Sequence, residues 1–227
     1  MTIGKWDSAA ESYAEAQQKS GFVRRNEEFV RERFSRIKGL RVLDMGCGYG
    51  SFTRLFDEMG AEAVGCDGSE KMLQMAEKSV PNARFDIVDL NGPLPYDNES
   101  FDVVFCNQVL MDIEDIETAV AEAERVLKSG GTFWFSIVHP AFYDGVWQTE
   151  DGRKYAKAVS RYISHYSFEN NFWGATAHFH RPISYYLNAA AQRGLKFVRM
   201  DEPRIYDGDK NDDIPLFLYA EFVKDRH

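Results

Sequence analysis

No run of about 18 apolar residues, the length a membrane-spanning helix needs, occurs in this 227-residue chain. The opening residues, M-T-I-G-K-W-D, lack the apolar stretch of an export signal, so the protein is expected to work in the cytoplasm with no membrane partner. Cysteine is scarce. The three present, Cys47, Cys66 and Cys106, have no C-x-x-C spacing, which excludes a disulfide framework and the common zinc patterns. They are expected to be reduced apolar fillers, and no metal is expected. A basic excess is missing too: 27 Lys and Arg face 36 Asp and Glu, a net charge of -9. Binding to a phosphate backbone rests on clustered cations, so nucleic acid is not an expected partner and a small molecule is. There is no repeat, low-complexity tract or interdomain linker, and the length suits one domain. Nothing in the composition excludes a homodimer.

What is present is an alternation of strand and helix signals. Two leading helices are expected within 1–38, with Trp6, Ala10 and Tyr13 on one face of the first and Phe22, Phe29, Val30 and Phe34 on the second. Strand signals at 40–45, 62–66, 83–88, 101–106 and 131–138 then alternate with helix signals at 50–59, 69–78 and 114–128. This pattern implies right-handed crossovers and a mostly parallel, Rossmann-like α/β sheet covered on both faces. A cofactor-binding core is therefore read over 39–140. Residues 141–182 break the alternation and are crowded with aromatics, which reads as a lid or substrate insert. Within it Tyr155, Val159, Tyr162 and Tyr166 fall at helical spacing and are expected to share one helix face, with Arg153, Lys154, Lys157 and Arg161 on a solvated one. A helix and hairpin are expected over 183–227.

The chemistry concentrates at strand ends. The first strand runs into Asp44 and then glycines at 46, 48 and 50, the pattern of a strand turning sharply into a helix. Glycine there permits positive φ and lets a ligand lie against bare main chain before a helix N-terminus. The spacing is G-x-G-x-G, and Asp44 before it would repel a pyrophosphate and suit a cationic group. Asp67 follows the second strand about nineteen residues after Gly48, where α/β nucleotide sites place a carboxylate on ribose hydroxyls. Asp89 follows the third strand, where a carboxylate and the amide of Leu90 can accept from and donate to adenine. S-adenosylmethionine, with adenine, ribose, an ammonium and a sulfonium but no phosphate, fits three acids.

These motifs carry a resemblance. V-L-D-M-G-C-G-Y-G at 42–50, G-C-D-G-S-E-K-M-L at 65–73, L-P-Y-D-N-E-S-F-D-V-V at 94–104 and R-V-L-K-S-G-G-T at 125–132 resemble the class I S-adenosylmethionine-dependent methyltransferases, of the methyltransferase-11 type, over roughly 5–140. Leu110 to Ile113, His139-Pro140, 180–182 and Glu202-Pro203 resemble a bacterial subgroup acting on small molecules. The resemblance implies a seven-stranded sheet of order 3-2-1-4-5-7-6 with the last strand, near 216–223, antiparallel. It also implies cofactor roles: Asp44, Gly46, Cys47 and Gly48 at the methionine end, closed over by Tyr13; Asp67 on the ribose beside Gly68 and Met72; Asp89 and Leu90 on adenine; Asn107 near the ammonium and sulfur. Two departures stand out. The 89–94 loop is one residue longer than usual, and Met111-Asp112 replaces the histidines many relatives carry, so no catalytic base transfers from that motif.

The candidate catalytic groups are His139, at the end of the fifth strand, and His180, leading into the next helix, with His178 behind them. Tyr166, on the aromatic stripe, is a candidate for the substrate wall, against the alternative that the stripe simply packs the lid. Arg181 is read either as a partner for a substrate carboxylate or as one for the acidic loop near Asp209. The expected activity is methyl transfer to an oxygen or nitrogen of a small molecule. Two alternatives stay open: use of the same cofactor without methyl transfer, releasing methylthioadenosine, and a non-catalytic cofactor-binding partner protein. A nicotinamide-dependent oxidoreductase is disfavoured by the glycine spacing and Asp44.

Overall fold

The computed structural model describes residues 3–204 and 210–226. Two helices, α1 (Ile3–Gln18) and α2 (Gly21–Arg33), precede β1 (Arg41–Met45), α3 (Ser51–Glu58), β2 (Glu62–Asp67), α4 (Glu70–Ser79), β3 (Arg84–Ile87) and β4 (Phe101–Asn107). A single 3-10 turn, Leu110–Asp112, leads to α5 (Ile116–Val126) and the long β5 (Leu127–Val138). Then come β6 (Val146–Glu150), β7 (Arg153–Ala158), β8 (Tyr166–Asn170), β9 (Thr176–His180), α6 (Ile183–Gln192), β10 (Leu195–Asp201) and β11 (Phe217–Lys224).

Seven strands form one sheet in the order β10-β11-β5-β4-β1-β2-β3. Strands β3, β2, β1, β4 and β5 are parallel neighbours, and β11 runs antiparallel between β5 and β10. This is the expected topology, the sixth and seventh sheet strands being β10 and β11. The central strands read as near-continuous apolar runs because helices cover both faces. On one face α5 and α6 pack over Leu43, Met45, Val64, Cys66, Val104 and Phe133. On the other, α2 and α3 cover Val42, Ala63, Val103 and Phe105, with Phe105 stacked on Trp134 at 4.6 Å between ring centres. Register sets Asp44 beside Gly65 on one side and Phe105 on the other, so the carboxyl ends of β1, β2 and β4 finish close together. Helix starts follow side-chain chemistry: Ser69 Oγ accepts the Met72 N–H at 3.3 Å to open α4, and Asp115 accepts the Thr118 N–H at 3.0 Å to open α5.

Residues 146–180 correct one expectation. They form two antiparallel hairpins, β6-β7 and β8-β9, and no helix. Asp151 and Gly152, at φ +47° and +77°, make the tight connection that an Asp-Gly pair favours between strands. Tyr155 therefore lies on β7, Tyr162 in the connection between hairpins and Tyr166 on β8, so the helical spacing of the stripe does not place them on a helix face. The alternation Y-S-F-E-N at 166–170 carries the period-2 signal. The helix signal read over 114–128 also runs too far: α5 ends at Val126, and Lys128 Nζ donates to both carboxylate oxygens of Asp102 at 2.9 and 2.8 Å.

Candidate active site

The glycine turn leaves β1 with Gly46, Gly48 and Gly50 at φ +78°, +53° and +83°. A Cβ at Gly46 would fall 2.4 Å from Val109 Cγ2, and one at Gly50 would fall 2.8 Å from Ala76 Cβ, so both positions need glycine for fit as well as conformation. A Cβ at Gly48 would meet nothing within 4 Å. Its bare backbone faces open space, as a cradle for a ligand requires. The turn is pinned by the N–H groups of Gly46 and Cys47, both donating to Cys66 O at 2.8 and 2.9 Å. Asp67 joins two strand ends by accepting the Gly48 N–H at 2.9 Å and the Ser69 N–H at 2.8 Å. Burial raises its carboxyl against these hydrogen bonds.

A cleft of about 100 Å³ opens over this turn. It is lined by Gly46 and Gly48 from the turn, by Asp67, Gly68 and Met72 after β2, and by Asp89 and Leu90 after β3. Asn107 and Tyr13 complete it, so nine of the eleven expected cofactor residues share one cavity. The other two, Asp44 and Cys47, line a larger cavity of about 630 Å³ that adjoins the cleft through Tyr13, Gly46, Gly48, Asn107 and Asp112. Asp44 is 2% exposed and accepts the Thr53 hydroxyl at 2.7 Å; burial pushes its carboxyl up to about 7. Cys47, Cys66 and Cys106 are free and buried, and burial raises all three thiols, which makes them poor nucleophiles.

Asn107 is fixed by a polar chain the sequence did not announce. Its Oδ1 accepts from Ser136 Oγ at 2.7 Å and from Asn26 Nδ2 at 3.0 Å, and Asn26 accepts the Tyr219 hydroxyl at 3.0 Å. Gln108, at φ +57°, donates its side-chain amide to Ser136 Oγ at 3.0 Å and lines both cavities. Asn26 had a signal. It falls four residues after Phe22 on the apolar stripe of α2, where a buried amide needs partners.

Helix α1 and the β8-β9 hairpin close the site from above. Asp7 accepts from Ser69 Oγ at 2.6 Å and from the Lys71 N–H at 3.2 Å, and the Ser69 bond holds its carboxyl below the ordinary value. The Ser12 hydroxyl donates to Trp173 O, and Lys5 pairs with Glu169 at 3.0 Å. Tyr13 then meets Trp6 and Trp173 edge to face at 5.3 and 5.0 Å between centres. The Trp173 Nε1–H is buried against the large cavity without an acceptor among the described residues.

The three candidate catalytic groups do not line either cavity. His139 is buried with Nε2 2.7 Å from Glu202 Oε1, and its Nδ1 accepts the Ala141 N–H at 3.2 Å, so both ring nitrogens are engaged. Burial lowers its pKa. His180 Nε2 donates to Tyr162 O at 2.9 Å, and its ring stacks on Tyr166 at 4.5 Å. The Tyr166 hydroxyl donates to Asp144, with burial pushing it up to about 12. Nearness to a strand end in sequence did not say which way these side chains face. His178 lines the large cavity instead, its Nδ1 3.6 Å from Asp112 Oδ1 and its ring against Tyr143 and Phe168, at 4.9 and 4.7 Å between centres. Asp112 borders cleft and cavity together, its carboxyl raised by burial. Arg181 is buried and donates to the carbonyls of Ile113 and Glu114 at 2.9 and 2.6 Å, and Asp209, named as one expected partner, lies outside the described residues. Among the described residues no group of side chains could hold a metal ion, and no helix is long and apolar enough to cross a membrane.

Residues 43–135 match the family described as "Methyltransferase domain". The solved structure of an S-adenosylmethionine-dependent methyltransferase from Mesorhizobium loti superposes with a TM-score of 0.77 at 26% identity, covering 92% of this chain and all (100%) of that one. A Haemophilus influenzae protein of uncharacterised function is 30% identical over 190 residues, 75% of this chain and 73% of its own. The ubiquinone biosynthesis O-methyltransferase of Mesorhizobium japonicum is 31% identical over 107 residues, 45% of this chain and 43% of that protein. The chain thus belongs to the class I S-adenosylmethionine-dependent methyltransferases, and its cofactor is S-adenosylmethionine.

Proposed function

We propose that this enzyme methylates an oxygen or nitrogen of a small-molecule acceptor held in the aromatic-walled cavity beside the cofactor cleft. The observation that carries this reading is the junction of the two cavities at the glycine turn, where Tyr13, Gly46, Gly48, Asn107 and Asp112 line both. The local chemistry fits the cofactor: bare backbone at Gly48, an acid at three strand ends, and the Trp173 N–H without an acceptor among the described residues. Asp67 would hold the ribose hydroxyls beside Gly68 and Met72, Asp89 and Leu90 the adenine, and Asp44, Gly46, Cys47, Gly48 and Asn107 the methionine end. S-adenosylmethionine supplies an electrophilic methyl group when bound. The protein's own part is to orient the acceptor, exclude water and take a proton. Closure by α1 and Trp173 serves the first two. For the third, His178 is the candidate within the cavity, oriented by Asp112 and by the Tyr143 and Phe168 rings against it.

The ribose assignment is checked by calorimetry with S-adenosylhomocysteine. Asp67→Ala removes the acceptor of two hydroxyls, at about 1.5 to 3 kcal/mol for charged hydrogen bonds, and is expected to weaken binding by roughly one to three orders of magnitude. Unchanged affinity would refute the placement.

A further inference from the structure

The large cavity is polarised in a way the cofactor does not explain. Asp44 and Asp112 line it next to the glycine turn, whereas Lys157 and Lys210 line it under the β6-β7 hairpin. Lys157 was expected on a solvated face. It is instead partly buried, with Nζ donating to Phe142 O at 2.6 Å and Tyr143 O at 3.5 Å and lying 4.9 Å from the centre of the Trp147 ring. Its partners are carbonyls and a π-face; among the described residues no carboxylate lies within ion-pair distance of it. Lys210 is brought there by β7: it bridges to Lys154, the Asn211 N–H donates to Lys154 O at 2.8 Å, and its Nζ lies 6.0 Å from the Phe22 ring.

The Lys157 amine on this wall leaves a positive field that the two carbonyls and the ring only partly offset. Burial and the neighbouring Lys210 lower the Lys157 amine to about 8, while Asp144 opposes this weakly. Around the amines the wall is apolar and aromatic, from Phe22, Tyr143, Trp147, Leu216 and Phe217. Building on the methyltransferase reading, we propose that the acceptor is a small ring compound bearing an oxyanion, carboxylate or phosphate, which Lys157 binds with Lys210 beside it while the ring packs on these aromatic walls. Lys157 is then a specificity-determining residue that fixes which end of the acceptor points at the cofactor.

The test is calorimetric titration at about pH 7 of the protein saturated with S-adenosylhomocysteine. The probes are 4-hydroxybenzoate, phenyl phosphate and the neutral 4-hydroxybenzamide. At least one oxyanion is expected to bind about tenfold or more tightly than the amide, the size of a hydrogen bond to a charged group. Whichever binds better tells carboxylate from phosphate. Lys157→Met should erase the preference and Lys157→Arg keep it, with S-adenosylhomocysteine affinity unchanged in both. The proposal is overturned if the wild-type protein binds neither oxyanion more tightly than the amide, or if the preference survives in Lys157→Met. A wild-type protein that fails to bind S-adenosylhomocysteine overturns the methyltransferase reading instead.

Discussion

Asp44 combines burial, a raised pKa and a position at the glycine turn, so its ionisation connects pH to both stability and binding. Its carboxyl, near 3.8 in the unfolded chain and raised to about 7 in the fold, makes the folded state the better proton binder between those values. Stability without ligand therefore falls as pH rises from about 4 to 7, and the ionised group costs up to about 4 kcal/mol above that, at about 1.4 kcal/mol per unit. A cationic ligand reverses the sign, because it favours the carboxylate. S-adenosylhomocysteine affinity should rise with pH to about 7 and then level off. Asp44→Asn should raise the melting temperature of the free protein at pH 8 and flatten the binding profile, and a profile unchanged by the substitution would remove Asp44 from the ammonium. At this scale the strand-end acids were legible, because each ends a strand-like run and is followed by a glycine or a helix cap. Lys157 was not, because its surroundings are set by residues 142 and 143, which the hairpin returns to it, and a row of basic residues ordinarily means a solvated face.

At the scale of elements, the covering pieces decide the chemistry. The sheet and its helices were readable from alternating periodicities, since βαβ crossovers leave few topologies. The hairpins were not, because aromatics at four-residue spacing fit a helix face as well as strands with a turn between them. The Asp-Gly pair at 151–152 was the signal that separates the two. This element-level difference moved the histidines: β9 alternates, so His178 and His180 point to the same side, yet only His178 reaches the large cavity while His180 is tied to Tyr162. His178→Gln is expected to lower the single-turnover rate of methyl transfer by about 10²- to 10⁴-fold, the range of general-base catalysis, while leaving S-adenosylhomocysteine affinity intact. A rate within twofold of wild type would place the proton elsewhere.

Across the whole molecule, one sheet with two packed faces gathers the candidate cofactor residues at its carboxyl edge, and α1 with the second hairpin covers that edge. The central claim is that this edge holds an adenosine bearing a cationic methionine chain and no phosphate. A ligand that binds only the folded chain stabilises it, by about 2.7 kcal/mol at a hundred times its dissociation constant. The decisive measurement is paired calorimetry and thermal unfolding with S-adenosylhomocysteine and with NADH. One S-adenosylhomocysteine is expected to bind per chain and raise the melting temperature, with no response to NADH. Binding of NADH without binding of S-adenosylhomocysteine would contradict that claim.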